Sequence, residues 1–242
     1  MAHVPRLYVP GAASGGDAPL PEGTEHHLLR VLRLRPGTRV FVFDGAGREY
    51  AGRLEQPGRE LRVRVGDLER AEPPAALAVT LVVALSRRTR MEWTLEKAVE
   101  LGAAAIRPVF SERARIRLDA SRAARKLAHW RSLVIAAAAQ SGRARLPVLR
   151  EPVALDEALQ DTEAATRLLL DPGADAGLGD MAAPDRELAL LAGPESGFSE
   201  SERSAAEGAG WRPVRLGPRV LRAETAGPAA LAAVQALWGD MR

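Results

Sequence analysis

The chain has 242 residues, 46% of them hydrophobic, and 34 basic against 31 acidic side chains for a net charge of +3, with no cysteine. Disulfides and thiolate metal sites are therefore excluded, no apolar run reaches the ~20 residues of a membrane span, and the opening Met1-Ala2-His3-Val4-Pro5-Arg6 lacks the apolar core of a secretory signal. A cytoplasmic protein of one large or two small domains is expected.

The first 72 residues read as a small β-rich domain. Arg6-Leu7-Tyr8-Val9 is a short strand, and a helix is predicted over residues 24–34 with Thr24 as its N-cap. Leu28, Leu29, Val31 and Leu32 form its apolar side, leaving Arg30, Arg33 and Arg35 to point elsewhere. A strand over residues 39–43 runs into Asp44-Gly45, a hairpin signal, and returns over residues 48–54. Residues 61–65 alternate apolar and basic, as a strand with one wet face does.

Glu72-Pro73-Pro74-Ala75 is the linker, because paired prolines break helix and sheet alike. Strands and helices alternate beyond it. The apolar run over residues 77–85 is a strand covered on both faces. A helix over residues 90–101 carries Met91, Thr94, Leu95, Ala98 and Val99 on one side. A strand over residues 106–110 and a long helix over residues 121–139 follow, then strands near Val148 and over residues 167–170, 188–192 and 214–216, with helices near Leu155 and Ser199. Ser199 and Glu202 form a capping box, and Thr225 is expected to cap a last helix that reaches Trp238, with Pro228 in its first turn. This alternation predicts an α/β domain with a mostly parallel sheet.

The charge is segregated. Residues 1–72 carry 11 basic and 10 acidic side chains, residues 73–150 carry 15 and 5, and residues 151–242 carry 8 and 16. A basic middle third is the footprint of a polyanion such as nucleic acid. Only Lys97 and Lys126 among the basic residues are lysines, so a GC-rich genome accounts for much of the arginine, but it does not account for the acidic segregation.

The chemistry concentrates near the C-terminus. Neither a G-x-G-x-x-G after a strand nor a G-x-x-x-x-G-K-[ST] occurs, nor H-E-x-x-H, nor the G-x-S-x-G elbow. Instead two Gly-Pro turns, Gly193-Pro194-Glu195-Ser196-Gly197 and Leu216-Gly217-Pro218-Arg219, each follow a buried strand and lead into a helix. Loops of that kind form ligand cradles at the carboxyl edge of a parallel sheet. A ligand held by backbone groups rather than through a phosphate cradle fits them, and S-adenosylmethionine answers that description.

These residues resemble the SPOUT RNA methyltransferases, and most of all the RsmE type. The resemblance rests on Gly193-Pro194-Glu195 and on Leu216-Gly217-Pro218-Arg219-Val220-Leu221-Arg222-x-Glu224-Thr225-Ala226. It extends to Arg30-Val31-Leu32-Arg33, Phe43-Asp44-Gly45, Lys97-x-x-Glu100-Leu101-Gly102, Ser111-Glu112-Arg113 and Gln140-Ser141-Gly142-Arg143. Ala139, Ala144, Ser196 and Ala223 depart from the family pattern.

The resemblance implies a PUA-like β-barrel over residues 1–72 and a SPOUT domain over residues 73–242. A trefoil knot and the cofactor site would lie at about residues 166–228. It implies S-adenosylmethionine bound by Leu170, Ala192, Gly193, Glu195, Leu216, Gly217, Pro218, Arg219, Val220 and Leu221, and a homodimer acting on N3 of a uridine in 16S ribosomal RNA within the 30S subunit. Arg222 would stabilise charge developing on the uracil carbonyls, and Glu224 would orient Arg222 or accept the N3 proton. Arg30, Arg33, Arg113 and Arg143 would hold RNA, with Arg115, Arg117, Arg122 and Arg125 crowding the same segment of the second domain as Arg113. Ribose 2′-O methylation within the same superfamily, and a non-catalytic RNA-binding or ribosome-assembly role, stay open from the residues alone.

Overall fold

The computed structural model describes residues 4–21, 24–114 and 120–241. Two compact units emerge: the residues up to Pro74 together with Ala138–Leu146, and a second made of Ala75–Ala137 with Pro147–Arg242.

The first unit is built on a five-stranded sheet in the order β1-β3-β4-β5-β2, formed by β1 (Arg6–Tyr8), β2 (Asp17–Pro19), β3 (Arg39–Phe43), β4 (Arg48–Glu55) and β5 (Arg62–Ala71). β1 pairs parallel with β3, and the other neighbours are antiparallel. Val40, Val42, Leu54, Val63 and Val65 alternate inward around Leu28 to make its core. The β3–β4 turn is organised by Asp44, whose Oδ1 accepts from the backbone N–H of Ala46 (2.8 Å) and Arg48 (3.0 Å) while Oδ2 accepts from Arg48 Nε at 2.7 Å. Burial pushes the Asp44 carboxyl up, but those bonds outweigh it and hold the group below its ordinary value.

The helix expected over residues 24–34 is cut short. α1 (Thr24–His26) passes directly into a π-helical turn over His27–Val31. It closes with Leu34 N–H donating to the Leu28 carbonyl at 2.9 Å, and Arg33 turns into the left-handed region at φ 52°. Leu28 is driven into the core, while Val31 and Leu32 are 61% and 45% exposed and do not form the expected apolar face. Arg30 and Arg33 are both exposed, but only Arg30 lies on the helical turn.

The chain at the end of α3 (Ala120–Ser141) and on to Leu146 is held within the first unit by two side chains. Arg6 donates to the carbonyls of Ala138 (2.8 Å), Ala139 (3.1 Å) and Arg143 (3.2 Å), and pairs with the buried Glu49. Glu72 accepts from the N–H groups of Ala144 and Arg145. Two positions that depart from the family pattern, Ala139 and Ala144, are thus engaged here through backbone atoms.

The second unit is a seven-stranded sheet ordered β12-β10-β11-β6-β7-β8, with β9 also on β7, and every pairing is parallel. Its strands are β6 (Ala78–Ala84), β7 (Ala105–Phe110), β8 (Val148–Leu149), β9 (Val153–Ala154), β10 (Thr166–Leu170), β11 (Glu187–Ala192) and β12 (Arg212–Val214). Parallel strands need crossovers, and helices in them are α2 (Arg88–Glu100), α3, α4 (Leu155–Asp161) and α5 (Glu200–Gly208), with α6 (Ala223–Trp238) following the last strand. Because strand side chains alternate, Ala189 and Leu191 join Leu155, Leu159, Ala206 and Trp211 in one core. On the other alternation, Leu81 and Ala192 meet Gly227 of α6, where a Cβ would lie 3.2 Å from Leu81. Buried along α2 are Met91, Thr94, Leu95, Ala98 and Val99, the face read from its spacing. No helix among the described residues is long and apolar enough to cross a membrane.

α6 begins earlier than its sequence signal. Arg222 is the N-cap residue, and the N–H groups of Thr225 and Ala226 already bond its carbonyl at 2.9 Å. Thr225 is therefore inside the helix, Glu224 sits in the first turn, and Pro228 falls in the second. The Ser199–Glu202 capping box of α5 forms in both directions.

Candidate active site

A cleft of about 520 Å3 opens at the carboxyl ends of β10 and β11, within the ~300–1,000 Å3 of small-molecule sites. Three strand-to-helix segments make its walls. The first is the turn after β11. Its Gly197 N–H bonds the Pro194 carbonyl at 2.9 Å with Gly197 at φ +68°, which a glycine adopts without steric cost. Gly193 lies so close to Phe198 that a Cβ would meet the ring at 3.1 Å. The second wall is Val220 to Ala226, leading into α6, and the third is Leu170-Asp171-Pro172 beyond β10.

Of the predicted cofactor residues, Leu170, Gly193, Glu195, Val220 and Leu221 line this cleft. Ala192 is fully buried at the end of β11. Leu216, Gly217, Pro218 and Arg219 approach along the loop without lining it, and Gly217 takes φ +82° there. Both predicted catalytic residues, Arg222 and Glu224, are on the cleft wall.

Their expected mutual pairing is weak. Arg222 Nη1 is 3.9 Å from Glu224 Oε1, and the Arg222 side chain is 81% exposed. The nearer cation is Arg90 of α2, whose Nε is 3.6 Å from Glu224 Oε1 while its Nη1 donates to Glu195 Oε1 at 2.5 Å. Glu224 Oε2 is buried and has no hydrogen-bond partner among the described residues. A buried acceptor left unpaired costs about 1–3 kcal/mol, so this oxygen is short of a donor.

Several residues of the cleft carry no signal that the sequence reading used. Arg90 reaches its two partners only through the fold. Asp171 accepts from Arg203 Nη1 at 2.8 Å, and Glu200 chiefly, with Asp171, holds the Arg203 guanidinium above its ordinary value. Asp171-Pro172-Gly173 is a third turn following a buried strand, the very pattern that marked the other two loops, and could have been found by it.

Arg113, expected on RNA, donates through Nη1 to the carbonyls of Ser196 (3.2 Å) and Phe198 (3.4 Å), and Ser196 Oγ returns a bond to the Arg113 carbonyl at 3.4 Å. It ties the turn after β11 to the chain after β7. Arg143, half-buried, belongs to the segment gripped by Arg6, and Arg30 and Arg33 are in the first unit, so none of the three is part of the cleft. Arg115 and Arg117, and the side chain of Arg122, lie outside the described residues; Arg125 is exposed on α3.

The residues present fit S-adenosylmethionine. Leu169, Leu170, Pro172, Pro194, Phe198, Val220 and Leu221 would give an adenine an apolar slot, and Asp171, Glu195 and Glu224 would offer carboxylates to the cationic groups of the cofactor.

The model of an RNA methyltransferase domain matches residues 73–235, and that of an RNA methyltransferase PUA domain matches residues 22–66. The chain is 38% identical over 240 residues to the ribosomal RNA small subunit methyltransferase E of Mycobacterium bovis, covering 96% of this chain and 91% of that protein. To the protein of the same name from Synechocystis it is 33% identical over 220 residues, covering 88% and 70%. The crystal structure of the ribosomal RNA small subunit methyltransferase E of Neisseria gonorrhoeae bound to S-adenosyl methionine matches with a TM-score of 0.90 at 37% identity, over 99% of this chain and 100% of that one.

Proposed function

The chain belongs to the RNA methyltransferase family, as a relative of ribosomal RNA small subunit methyltransferase E with the SPOUT type of parallel α/β domain, and we propose that it uses S-adenosylmethionine to methylate N3 of a uridine in 16S ribosomal RNA. The observation that carries this reading is the buried, unpartnered Glu224 Oε2 on a residue of the cleft walled by the first Gly-Pro turn and by the Val220–Glu224 segment beyond the second. Uracil N3 holds a proton at neutral pH, so a methyltransferase acting there needs a base beside the ligand cleft.

Bound in the slot, the cofactor supplies an electrophilic methyl carbon whose bond to sulfur breaks with the electron pair staying on sulfur. Glu224 takes the N3 proton through Oε2 as the nitrogen lone pair closes on carbon. Arg90 holds Glu224 in place from α2, a role that its 3.6 Å approach supports better than the 3.9 Å approach of the exposed Arg222. Arg222 is left free to meet the uracil carbonyls as negative charge develops on them. Backbone groups of the 193–198 turn and of Val220-Leu221 would hold the nucleoside. Most of the acceleration comes from placing nitrogen, carbon and sulfur in line.

Within the same reading the protein is a cytoplasmic homodimer that works on the 30S subunit, with Arg30, Arg33 and Arg143 touching RNA phosphates. Leu237 and Met241, about half exposed at the end of α6, offer apolar surface to a second copy. The chain after β12 is bonded to the segment after β10 through Arg215 N–H to the Ala176 carbonyl (2.9 Å) and Leu178 N–H to the Arg215 carbonyl (3.1 Å). That juxtaposition supports a knotted connection.

The test is nucleoside mass spectrometry of 16S ribosomal RNA after incubation with protein and cofactor. N3-methyluridine is the expected product. A methyl group on ribose, or no methylation of any RNA or subunit offered, overturns the reading.

A further inference from the structure

Arg90 and Glu195 separate the active cleft from a second one of about 290 Å3, and line both. The second cleft lies where β6 passes into α2, and the rest of its polar wall is Ser86, Arg87, Arg113 and Ser196. Its charge is lopsided. The single carboxylate, Glu195, is spent on Arg90 at 2.5 Å. Among the described residues the Arg113 guanidinium bonds backbone carbonyls alone, and Arg87 has no carboxylate partner. The 13-residue α2 starts here with no side-chain cap and no acidic residue in its first turn, so its free N–H groups and dipole add positive potential. Independently, the side chain of Ser86 points to a ligand. Ser86 is only 8% exposed, lines the cleft, and has a hydroxyl without a hydrogen-bond partner among the described residues.

We infer that this second cleft binds a phosphodiester of the substrate RNA next to the target nucleotide. The inference rests on the RNA-methyltransferase reading above and adds to it the place where the backbone is held. A phosphate suits the site because it accepts from several donors at once: the Arg87 guanidinium, the Ser86 hydroxyl and the first N–H groups of α2. The shared residue Arg90 then links the two clefts, so that seating the phosphate fixes how far the base reaches toward Glu224. Ribose hydroxyls would not need a cluster of arginines, and the wall holds no aromatic side chain on which a base could stack.

The experiment measures affinity for a 16S ribosomal RNA fragment against salt, with affinity for S-adenosylhomocysteine by calorimetry on the same proteins. Arg87→Ala is expected to weaken RNA binding about tenfold and to reduce the slope of log affinity against log salt by about 0.7–1, the share of one released phosphate counterion. Arg87→Lys should keep the slope, since it keeps the charge, and S-adenosylhomocysteine affinity should be unchanged in both. An unaltered RNA affinity and slope in Arg87→Ala overturns the inference. So does a parallel loss of S-adenosylhomocysteine affinity, which would make Arg87 a structural residue. These binding readouts need no turnover. Failure of the unsubstituted protein to methylate uridine would sink the proposed activity while the salt slope still judged this site.

Discussion

Each edge of the parallel sheet carries a cleft. At the amino edge one of about 620 Å3 surrounds Arg107, Arg150, Asp161 and Glu187; at the carboxyl edge the one of about 520 Å3 holds Arg90, Glu195 and Glu224. The amino-edge cleft is the larger, and each cleft is lined by a residue with a buried side-chain atom that has no partner among the described residues, Arg107 Nε and Glu224 Oε2, yet the two sit in different surroundings. Arg107 is buried, but its guanidinium reaches Asp161 at 3.3 Å and Glu157 at 4.0 Å, a charge already answered from within the chain. Glu224, with a buried unpartnered oxygen, lines a slot of apolar side chains beside the glycine turn after β11. Parallel sheets place ligands at their carboxyl ends because the loops there are free to vary while the strands stay fixed, and here the glycines and prolines are on those loops and the unpaired acceptor is in the helix turn that follows one of them.

The contrast is sharpened most by Glu224→Gln. The amide keeps the size and hydrogen-bonding reach of the side chain but cannot take a proton. Turnover should fall by about 10²–10³ at saturating substrates, in the range lost with a general base, with S-adenosylhomocysteine affinity within about twofold by calorimetry. Turnover that stayed near the unsubstituted rate would remove Glu224 from the chemistry.

Gly193→Ala should act on binding instead. Its new methyl meets the Phe198 ring at 3.1 Å, so the ring or the turn must shift at the mouth of the slot. Cofactor affinity is expected to weaken about tenfold, ~1.4 kcal/mol, and Phe198→Leu in the same chain should recover part of it, because the two side chains share one space. A smaller effect follows from Arg113→Ala, which removes two bonds to the carbonyls of Ser196 and Phe198. A few-fold loss of cofactor affinity is expected, about 1 kcal/mol for exposed or half-buried bonds of this kind. Equal cofactor affinity in the variant would show that the turn holds itself.

How much of this was legible in the sequence depends on how local each cause is. The turn after β11 was readable because Gly and Pro state their backbone demands wherever they stand, and so was the buried face of α2, because a 3.6-residue period needs no partner to be seen. The residues from 24 to 34 misled. They carry a helical pattern, but the core takes Leu28 and the chain then turns left-handed at Arg33, so tertiary burial overrides propensity. β2 has almost no strand propensity in Asp17-Ala18-Pro19 and exists only because β5 offers an edge to it. Thr225 looked like a cap, but the Arg222 carbonyl begins the helix first. Arg90 shows the limit most clearly. Its partners Glu195 and Glu224 are more than a hundred residues away, so nothing near position 90 announces a role in the site.

The smallest effect is expected from the amino edge, through Arg107→Met. If that cleft held a ligand, loss of its buried cation would damage function; if it is only the gap where helices and strands begin, activity should not notice. Methionine fills much of the space of an arginine stem without asking for partners. The residue is 6% exposed, its Nε has no hydrogen-bond partner among the described residues, and its carboxylate partners Asp161 and Glu157 are themselves 61% and 55% exposed. Water can therefore solvate both acids once the arginine is gone, and no charge is left buried alone. Replacing a buried ion pair member under those conditions is close to neutral and can stabilise, because the desolvation cost of the cation disappears with it. The midpoint of urea unfolding should stay level or rise, and kcat/KM for ribosomal RNA should remain within about twofold, small beside the 10²-fold expected at Glu224. A loss of activity at Arg107→Met without a loss of stability would mean that the two edges of the sheet are both at work.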